Sequence, residues 1–418
     1  MATTQRSTGS TLFTIFLTIF IDLLGIGVII PVIPALFFEP SNNFFPPEVS
    51  VEQRSILYGF LIAAYPILQF FGAPMLGALS DRYGRKPMLS LSLVGTMIGY
   101  LLFAWAILSQ NIWLLFISRA LPGFTGGNIA IILSSIADVS DAKSRAKNFG
   151  LVGMAFGLGF ILGPTIGGIL ADESVVSWFN AATPFWFTAI LTLFNILLVQ
   201  FNFRETLLTK RSSNINIFSG FQNISTAFQA PNLRAIFIVI LLLSLGFSFF
   251  TQFFSVLLIQ KFSFTEKNIG LLFGWIGIWL AITQGLVVRI LSRYVQSANI
   301  ISFSIFALAV ALGLLLLPDQ SYWFYILNPL VAIAQGITAP NMTAVVSEQA
   351  TPAQQGEILG INQSMQSLGQ AVPPIIAGYI NTISGSLPIL TASLLIFSGW
   401  LMYVLVFRKR RQVVVPAD

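Results

Sequence analysis

The feature that most constrains the fold is a set of twelve apolar stretches, each of about 20 residues or more. A helix of that length crosses the roughly 30 Å hydrocarbon core of a bilayer. The stretches are continuously apolar and do not alternate, which favours helices over the strands of a barrel. They lie near 11–38, 56–79, 87–109, 112–136, 149–171, 182–201, 234–258, 268–290, 298–318, 321–346, 358–381 and 386–407. The sequence therefore predicts an all-α membrane protein with twelve transmembrane helices.

The few charged residues predict the orientation of these helices. Charged residues make up 9% of the chain, against about 25% in soluble domains. With the N-terminus inside, 17 of the 21 basic residues fall in cytoplasmic segments. This asymmetry predicts a multi-pass protein of the cell (inner) membrane with both termini cytoplasmic. It also accounts for the net charge of +6, so we expect the lipid bilayer and no nucleic acid as a partner.

Several classes of site are excluded by composition and motif. The chain has no cysteine and no histidine, which excludes disulfides and thiolate metal sites. It also lacks the H-E-x-x-H and G-x-S-x-G patterns and a phosphate-binding glycine loop. We therefore expect no enzyme activity, no cofactor and no metal. The N-terminal segment lacks a cleavage site, so we expect the first helix to act as its own insertion signal.

A polar segment divides the twelve stretches into six and six. The longest polar run in the interior of the chain covers 202–232. The sequence therefore predicts a six-helix bundle over 1–201, a cytoplasmic linker over 202–232 and a second six-helix bundle over 233–418.

The two halves resemble each other. A shift of 210 positions places Trp113 on Trp323 and Pro164 on Pro374, together with several glycines. Chance similarity between apolar segments is the alternative explanation. Parallel repeats of this kind bind substrate near the bilayer midplane and alternate access by rocking.

Asp22 is the one acidic residue within the twelve stretches. A carboxylate at this depth costs about 3 kcal/mol on insertion scales, so its presence suggests a function. Because the chain has no histidine, Asp22 is also the membrane-embedded side chain best suited to exchange a proton near neutral pH. This residue points to a transporter whose partners are a small-molecule substrate and protons.

The loop after the second stretch reads GALSDRYGRKP over 77–87. It resembles motif A of the major facilitator superfamily, which implies twelve helices in two bundles. The match is complete at Gly77, Leu79, Asp81, Arg82, Gly84, Arg85 and Lys86. In that family the residues at the Asp81 and Arg85 positions form a charge cluster with an acid at the end of helix 4. That acid would be Asp138 here, and the cluster would latch the outward-open state. The alternative is a basic loop that only sets topology.

The fifth stretch carries GLGFILGPTIGG over 157–168. It resembles motif C, which marks antiporters within this superfamily and favours export over uptake. Small residues let helices pack closely in lipid, and proline kinks a helix. Packing alone is the alternative explanation for the glycines. The motif positions are Gly159, Gly163, Pro164, Gly167 and Gly168.

The first stretch carries LGIGVIIPVIP over 24–34, directly after Asp22. This resembles a motif of the twelve-helix drug/proton antiporters, and with SRALPGFTGG over 118–127 it is similar to the tetracycline-resistance branch. The resemblance covers most of the chain and weakens after residue 232. Tetracycline exporters carry further acids in helices 3 and 9. Here Gly99 takes the helix 3 position and the ninth stretch has no acid, which leaves Asp22 as the main coupling carboxylate and the substrate, tetracycline included, unassigned.

Arg119 is the basic residue well inside a stretch, in the fourth, whereas Arg234 and Arg289 lie at the ends of theirs. In the family, helices 1 and 4 line the central cavity, so Asp22 and Arg119 would face it. One possibility is a static ion pair. The other, which we favour, is a switch in which Arg119 holds Asp22 ionised until substrate or conformation breaks the contact.

The candidates for substrate binding are amide side chains within the stretches. Two of them, Gln69 and Gln284, match glutamines of the tetracycline exporters. Hydrogen bonding between helices is the alternative role for each. The candidates are Gln69, Asn128, Gln252, Gln284, Gln335, Asn341 and Gln366.

These features predict a monomeric, proton-coupled antiporter that exports small lipophilic or amphipathic compounds. The 39 phenylalanines suggest an aromatic cavity that suits such compounds. The alternative is a proton symporter or facilitator for a small metabolite such as a sugar or organic acid.

Overall fold

The structure, a computed structural model, describes the following residues: 2–40, 44–126, 128–140, 145–207, 218–229, 234–348 and 355–408. Within these ranges every regular element is a helix. The fold is therefore the all-α membrane architecture that the apolar stretches predict.

The helices of the first half follow the predicted stretches closely. Long apolar sequences form helices in a bilayer because every backbone polar group must be satisfied within the segment. The elements are α1 (Ala2–Phe38), α2 (Val51–Tyr83), α3 (Arg85–Leu108), α4 (Ile112–Thr125), α5 (Asn128–Val139), α6 (Arg145–Ala171) and α7 (Thr183–Asn202).

The second half begins with a short helix in the predicted linker. The elements are α8 (Ser219–Gln229), α9 (Arg234–Phe262), α10 (Glu266–Ile282), a π-helical turn (Thr283–Val287), α11 (Val288–Tyr294), α12 (Ser297–Leu314), α13 (Trp323–Glu348), α14 (Gln355–Ala371), α15 (Pro373–Asn381), α16 (Leu387–Met402) and a second π-helical turn (Tyr403–Arg408). Asn223 of α8 donates a hydrogen bond of 3.1 Å to Ser364 of α14. This bond attaches the linker helix to the helices that follow it.

The fourth predicted stretch, 112–136, contains a break that the hydropathy pattern did not reveal. The first segment, α4, ends at Thr125, and the second, α5, begins at Asn128. Gly126 caps α4 with a ψ of 22°, away from helical values. A Cβ on Gly126 would lie 2.5 Å from the carbonyl of Pro122 and 2.8 Å from the Tyr65 hydroxyl, so glycine fits here where a side chain would collide. The two segments still form one candidate membrane span, Ile112–Val139.

The eleventh predicted stretch, 358–381, is also divided, into α14 and α15. The boundary falls at Val372, just before Pro373 and Pro374. Proline has no N–H group and clashes with the preceding turn, which explains the break. Among the described residues, eleven helices are long and apolar enough to cross a membrane. The divided eleventh stretch is the one missing from that set.

The chain forms two compact units. The first unit comprises Met1–Glu48, Ala64–Ser219 and Phe264–Gly274. The second comprises Val49–Ala63, Gly220–Ser263 and Trp275–Asp418. The predicted bundle boundaries at 201 and 233 stay a prediction.

Each unit has its own apolar core. In the first unit, Ile19 of α1, Leu93 of α3 and Ile132 of α5 belong to one fully buried cluster. In the second unit, the rings of Phe254 and Phe324 meet edge to face with centroids 5.6 Å apart. These cores hold the helices that carry the polar residues described next.

Candidate functional site

Asp22 lies on α1 inside the first unit and is only 9% exposed. Its Oδ2 atom accepts a hydrogen bond of 2.6 Å from Nδ2 of Asn128. Asn128 is the first residue of α5 and is fully buried. Burial favours the neutral form of a carboxyl group, whereas a donated hydrogen bond favours its carboxylate. At Asp22 these two influences oppose each other.

The break between α4 and α5 places Asn128 beside Asp22. A broken helix leaves carbonyl groups without intrahelical donors. Ser92 of α3 donates a hydrogen bond to the carbonyl of Thr125, and Gln69 of α2 donates one of 3.1 Å to that of Gly126. Gln69, a candidate for substrate binding, thus supports the break in this structure. Side chains of α2 and α3 therefore stabilise the break between α4 and α5.

Glycines allow the helices to approach this break closely. A Cβ on Gly72 would collide with the carbonyl of Phe124, and one on Gly95 would lie 2.5 Å from the side chain of Thr125. The α2 and α3 backbones therefore lie in contact with the end of α4.

Arg119 lies on α4 and is 8% exposed. Its guanidinium carbon lies 4.9 Å from the centre of the Tyr65 ring, a cation–π distance. Tyr65 and Tyr100 each interact electrostatically with both Asp22 and Arg119. The four side chains therefore belong to one polar neighbourhood. A direct Asp22–Arg119 ion pair stays a prediction.

The charged residues of the 77–87 loop meet at the junction of α2 and α3. The Arg85 guanidinium lies 2.7 Å from Oδ1 of Asp81 and 3.1 Å from Oδ2 of Asp138. It also donates a hydrogen bond of 2.6 Å to Ser80. Arg85 is nearly buried, and Gly84 makes the sharp turn into α3 with a φ of 119°. The structure thus brings together the three charged residues that the sequence assigned to one cluster.

The other residues of this loop have different positions. Arg82 is exposed and lies 5.4 Å from the Tyr83 ring centre. Lys86 donates a hydrogen bond of 2.7 Å to the carbonyl of Gln200. A Cβ on Gly77 would meet no atom within 4 Å. The contacts that Arg82 and Lys86 make do not involve the Arg85 guanidinium.

Sequence reasoning missed Glu205, which completes the cluster. Its carboxylate accepts hydrogen bonds from the main-chain N–H groups of Arg85 and Lys86, at 2.9 and 3.1 Å. The next residue, Thr206, donates a bond of 3.2 Å to Asp138. The available signal was an acid just past the sixth stretch, in the segment RET, but its partner lies 120 positions away.

The glycines of 157–168 line the contact between α6 and α1. A Cβ on Gly163 would lie 2.8 Å from the Cα of Gly27, and one on Gly167 would lie 2.7 Å from the carbonyl of Val28. A Cβ on Gly159 would lie 2.6 Å from the Cβ of Leu23, the residue next to Asp22. The motif therefore fixes α6 directly against the helix that carries Asp22.

Two other motif residues make further contacts. A Cβ on Gly27 would lie 2.8 Å from the ring of Pro164. A Cβ on Gly168 would collide with the carbonyl of Glu266, at the start of α10. Gly168 thus packs on a different helix from the other glycines of the motif.

Comparison with known proteins identifies the family. The model of the Major Facilitator Superfamily matches residues 15–372, and a second match covers 236–418. This chain belongs to the major facilitator superfamily. It is therefore a multi-pass membrane transporter and not an enzyme.

Its relatives place the transporter in the tetracycline-resistance-like branch. It is 32% identical over 385 residues to the class H tetracycline resistance protein of Pasteurella multocida, and the aligned region covers 88% of each chain. It is 30% identical to multidrug resistance protein 1 of Bacillus subtilis, over 92% of this chain and 94% of the relative. The solved structure of the human organic anion transporter MFSD10 matches with a TM-score of 0.71 at 23% identity, over 95% and 99% of the two chains.

The remaining substrate candidates of the transporter lie in its second unit. Asn341 is buried and donates a hydrogen bond of 2.8 Å to the carbonyl of Ile337, one turn away on the same helix. Gln284 lies in the π-helical turn between α10 and α11, a feature frequent at functional sites. The half-buried candidates of this unit are Gln252, Gln284, Gln335 and Gln366. Their role in substrate binding stays a prediction.

A metal site has no support among the described residues. No group of three or more His, Cys, Asp or Glu side chains could hold an ion there.

Proposed function

We propose that this transporter exports small lipophilic or amphipathic compounds in exchange for protons, with Asp22 as the protonation site. The observation that carries the proposal is the buried Asp22 carboxyl, which accepts a hydrogen bond from Asn128 and lies on α1, the helix that packs on the α6 glycines. A buried acid between opposing influences gains and loses a proton as its surroundings change.

The cycle follows from the proton gradient. A proton enters from outside and neutralises Asp22, and substrate from inside displaces it. Each charge moved across 100 mV supplies about 2.3 kcal/mol. Arg119 stabilises the carboxylate while the proton is absent, through the shared neighbourhood of Tyr65 and Tyr100. The protein works as a monomer in the inner membrane, with both termini cytoplasmic.

The cluster of Asp81, Arg85 and Asp138 acts as a conformational latch. Its ion pairs have good geometry and a nearly buried guanidinium, so breaking them costs free energy that a substrate or proton must supply. Such an element gives the transporter two discrete states, as alternating access requires.

The relatives support a drug-like substrate class. Two of them are named for resistance to tetracycline and to multiple drugs, and the chain is about as similar to one as to the other. The Gly99 position and the acid-free ninth stretch argue that tetracycline itself is not the preferred substrate. We therefore assign the wider class of lipophilic and amphipathic compounds.

A second candidate function is transport of an organic acid. Arg119 gives the first unit a buried cation beside two tyrosines, a combination that would bind a carboxylate. The human relative of solved structure is an organic anion transporter. Under this alternative, Arg119 binds the substrate instead of regulating Asp22.

The test is accumulation of labelled compounds in cells that express the transporter. The panel contains tetracycline, lipophilic cations, neutral aromatics and organic anions. The proposal predicts lower accumulation of at least one lipophilic class with wild type, and recovery of accumulation with Asp22→Asn. Asp319→Asn, an exposed loop variant, is the matched control. Export of organic anions alone would favour the second function, and equal export by the Asp22→Asn variant would refute the first.

A further inference from the structure

Only one of the two polar atoms of the Asn128 amide makes a hydrogen bond in the described part of the chain. Its Nδ2 atom donates to Asp22, while its Oδ1 atom is buried without a hydrogen-bond partner in the described part of the chain. A buried polar atom without a partner costs about 1–3 kcal/mol. A fully buried side chain with one engaged donor is also poorly placed to bind substrate. The residue therefore calls for a role other than the substrate binding that the sequence suggested.

The chemistry of the two groups supplies that role. An ionised carboxylate only accepts hydrogen bonds, whereas a protonated carboxyl also donates one. A carboxamide has a donor and an acceptor on the same carbon, and a half-turn about its Cβ–Cγ bond exchanges them. The free Oδ1 of Asn128 is thus the acceptor that a protonated Asp22 would need.

We propose that Asn128 is a positioning residue for proton coupling, whose amide donates to the Asp22 carboxylate and turns to accept from the protonated carboxyl. The proposal rests on the proposed function, because it assigns the partner of the same proton site. A hydronium ion transfers its proton to one carboxylate oxygen of Asp22, so an O–H bond of the hydronium ion breaks as the O–H bond of the carboxyl forms and water is left. The reverse transfer returns the proton to a water molecule. No other covalent bond changes.

The helix break gives Asn128 a fixed position for this role. Ser92 and Gln69 hold the two carbonyls that precede it, so the end of α4 is anchored from two helices. Asn128 also begins α5, whose N-terminal end carries partial positive charge. That charge adds to the stabilisation of a nearby carboxylate.

Two titratable side chains interact electrostatically with Asp22. They are Tyr65 of α2 and Tyr100 of α3, and each also interacts with Arg119 of α4. The helices α6 and α7, which also pack on α1, contain no titratable residue over 148–171 and 183–202. Asn128 is the neighbour that donates a hydrogen bond to Asp22, and its amide can also accept one from the protonated carboxyl.

The test is infrared difference spectroscopy of the purified full-length transporter during pH titration, with no substrate added. The carbonyl stretch of a protonated carboxyl marks Asp22 if it disappears in Asp22→Asn. In Asn128→Leu we expect the titration midpoint to move to higher pH by about one unit, because the bond to the carboxylate is the stronger of the two. The carbonyl frequency should also change, since the O–H group loses its acceptor.

Two further variants make the test specific. Asn195→Leu removes an equally buried asparagine of the same unit, whose Oδ1 accepts a bond of 2.9 Å from Thr18, and it should titrate as wild type. Asn128→Ser keeps a donor and an acceptor in a hydroxyl group and should give a smaller shift. If Asn128→Leu does not fold, Asn128→Ser alone tests the role of Asn128.

The outcomes separate the two proposals. If no carboxyl band depends on Asp22, the proposed function is refuted, and the role of Asn128, which rests on it, is refuted as well. If Asp22 titrates but both Asn128 variants keep the wild-type midpoint and frequency, only the role of Asn128 is refuted.

Discussion

The carboxylate of Glu205 accepts a hydrogen bond of 2.9 Å from the main-chain N–H of Arg85, which lies 120 positions earlier in the chain. A second bond of 3.1 Å comes from the N–H of Lys86. These N–H groups belong to the first turn of α3, where no preceding turn supplies an acceptor. Glu205 therefore caps α3 from a distance and places a negative charge at its positive end.

Removing this cap should destabilise the transporter. We expect Glu205→Ala to lower the free energy of unfolding by about 1 kcal/mol, as other losses of helix caps do. Thermal melting of the detergent-purified protein measures the effect. Glu48→Ala removes an exposed acid from a connecting segment and is the control. Equal melting temperatures for the two variants would contradict the capping role.

The planar guanidinium of Arg85 should be essential to the latch. A lysine keeps the charge but cannot bridge Asp81 and Asp138 at once. We expect Arg85→Lys to reduce transport at least about tenfold, equivalent to about 1.4 kcal/mol. Arg82→Lys alters the exposed arginine of the same motif and should transport as wild type. Wild-type transport by Arg85→Lys would contradict the latch role and indicate that the loop only requires positive charge.

The α6 glycines should tolerate no added methyl group where α1 lies in contact. Gly163→Ala would place a carbon 2.8 Å from the Cα of Gly27, and we expect a loss of about 1–3 kcal/mol in stability. Gly153→Ala lies on the same helix in open space and is the matched control. Thermal melting of both variants tests this close packing. Equal melting temperatures for Gly163→Ala and Gly153→Ala would refute the contact.

Asp172 should give a stability contribution that depends on pH. Hydrogen bonds from Ser174 hold the pKa of Asp172 below its ordinary value, and Lys267 at 3.7 Å adds to the effect. A lowered pKa stabilises the fold above the ordinary value near 4, and the stabilisation disappears as the pH falls through the lowered one. Asp172→Asn should therefore melt below wild type at about pH 6, with a smaller difference at about pH 3.

The control for this effect is Glu173→Gln, which changes the exposed acid next in the chain. Its melting temperature should stay close to that of wild type at both pH values. A difference for Asp172→Asn that stays constant with pH would assign the effect to packing instead of to charge.

The helical membrane fold could be predicted from the sequence because continuous apolar runs have one solution in lipid. The grouping of Asp81, Arg85 and Asp138 was also accessible, but through the resemblance to motif A and not through helix periodicity, because Gly84 separates α2 from α3 between the first two residues. The α4–α5 break was not, because the segment GFTGGN is short and its neighbours are apolar. A hydropathy pattern records burial, and the break depends on side chains of α2 and α3 that supply hydrogen bonds.

The hydrogen bond from Asn128 to Asp22 was the other feature beyond sequence reasoning, because the position of Asn128 depends on that break. Opposite charge suggested Arg119 as a partner of Asp22, and that ion pair stays a prediction. Glu205 was missed for a related reason, since its acceptor role depends on where α3 begins. In both cases the contact requires helix ends, which are the least predictable part of a helical sequence.

The measurement that tests the account most directly is substrate-driven proton movement in inverted membrane vesicles. Vesicles are loaded with a proton gradient, and collapse of the gradient is recorded as compounds from the export panel are added. Wild type and Asp319→Asn should collapse the gradient with at least one lipophilic compound, and Asp22→Asn should not. Collapse of the same size in Asp22→Asn would contradict the central claim that the proton is carried by Asp22.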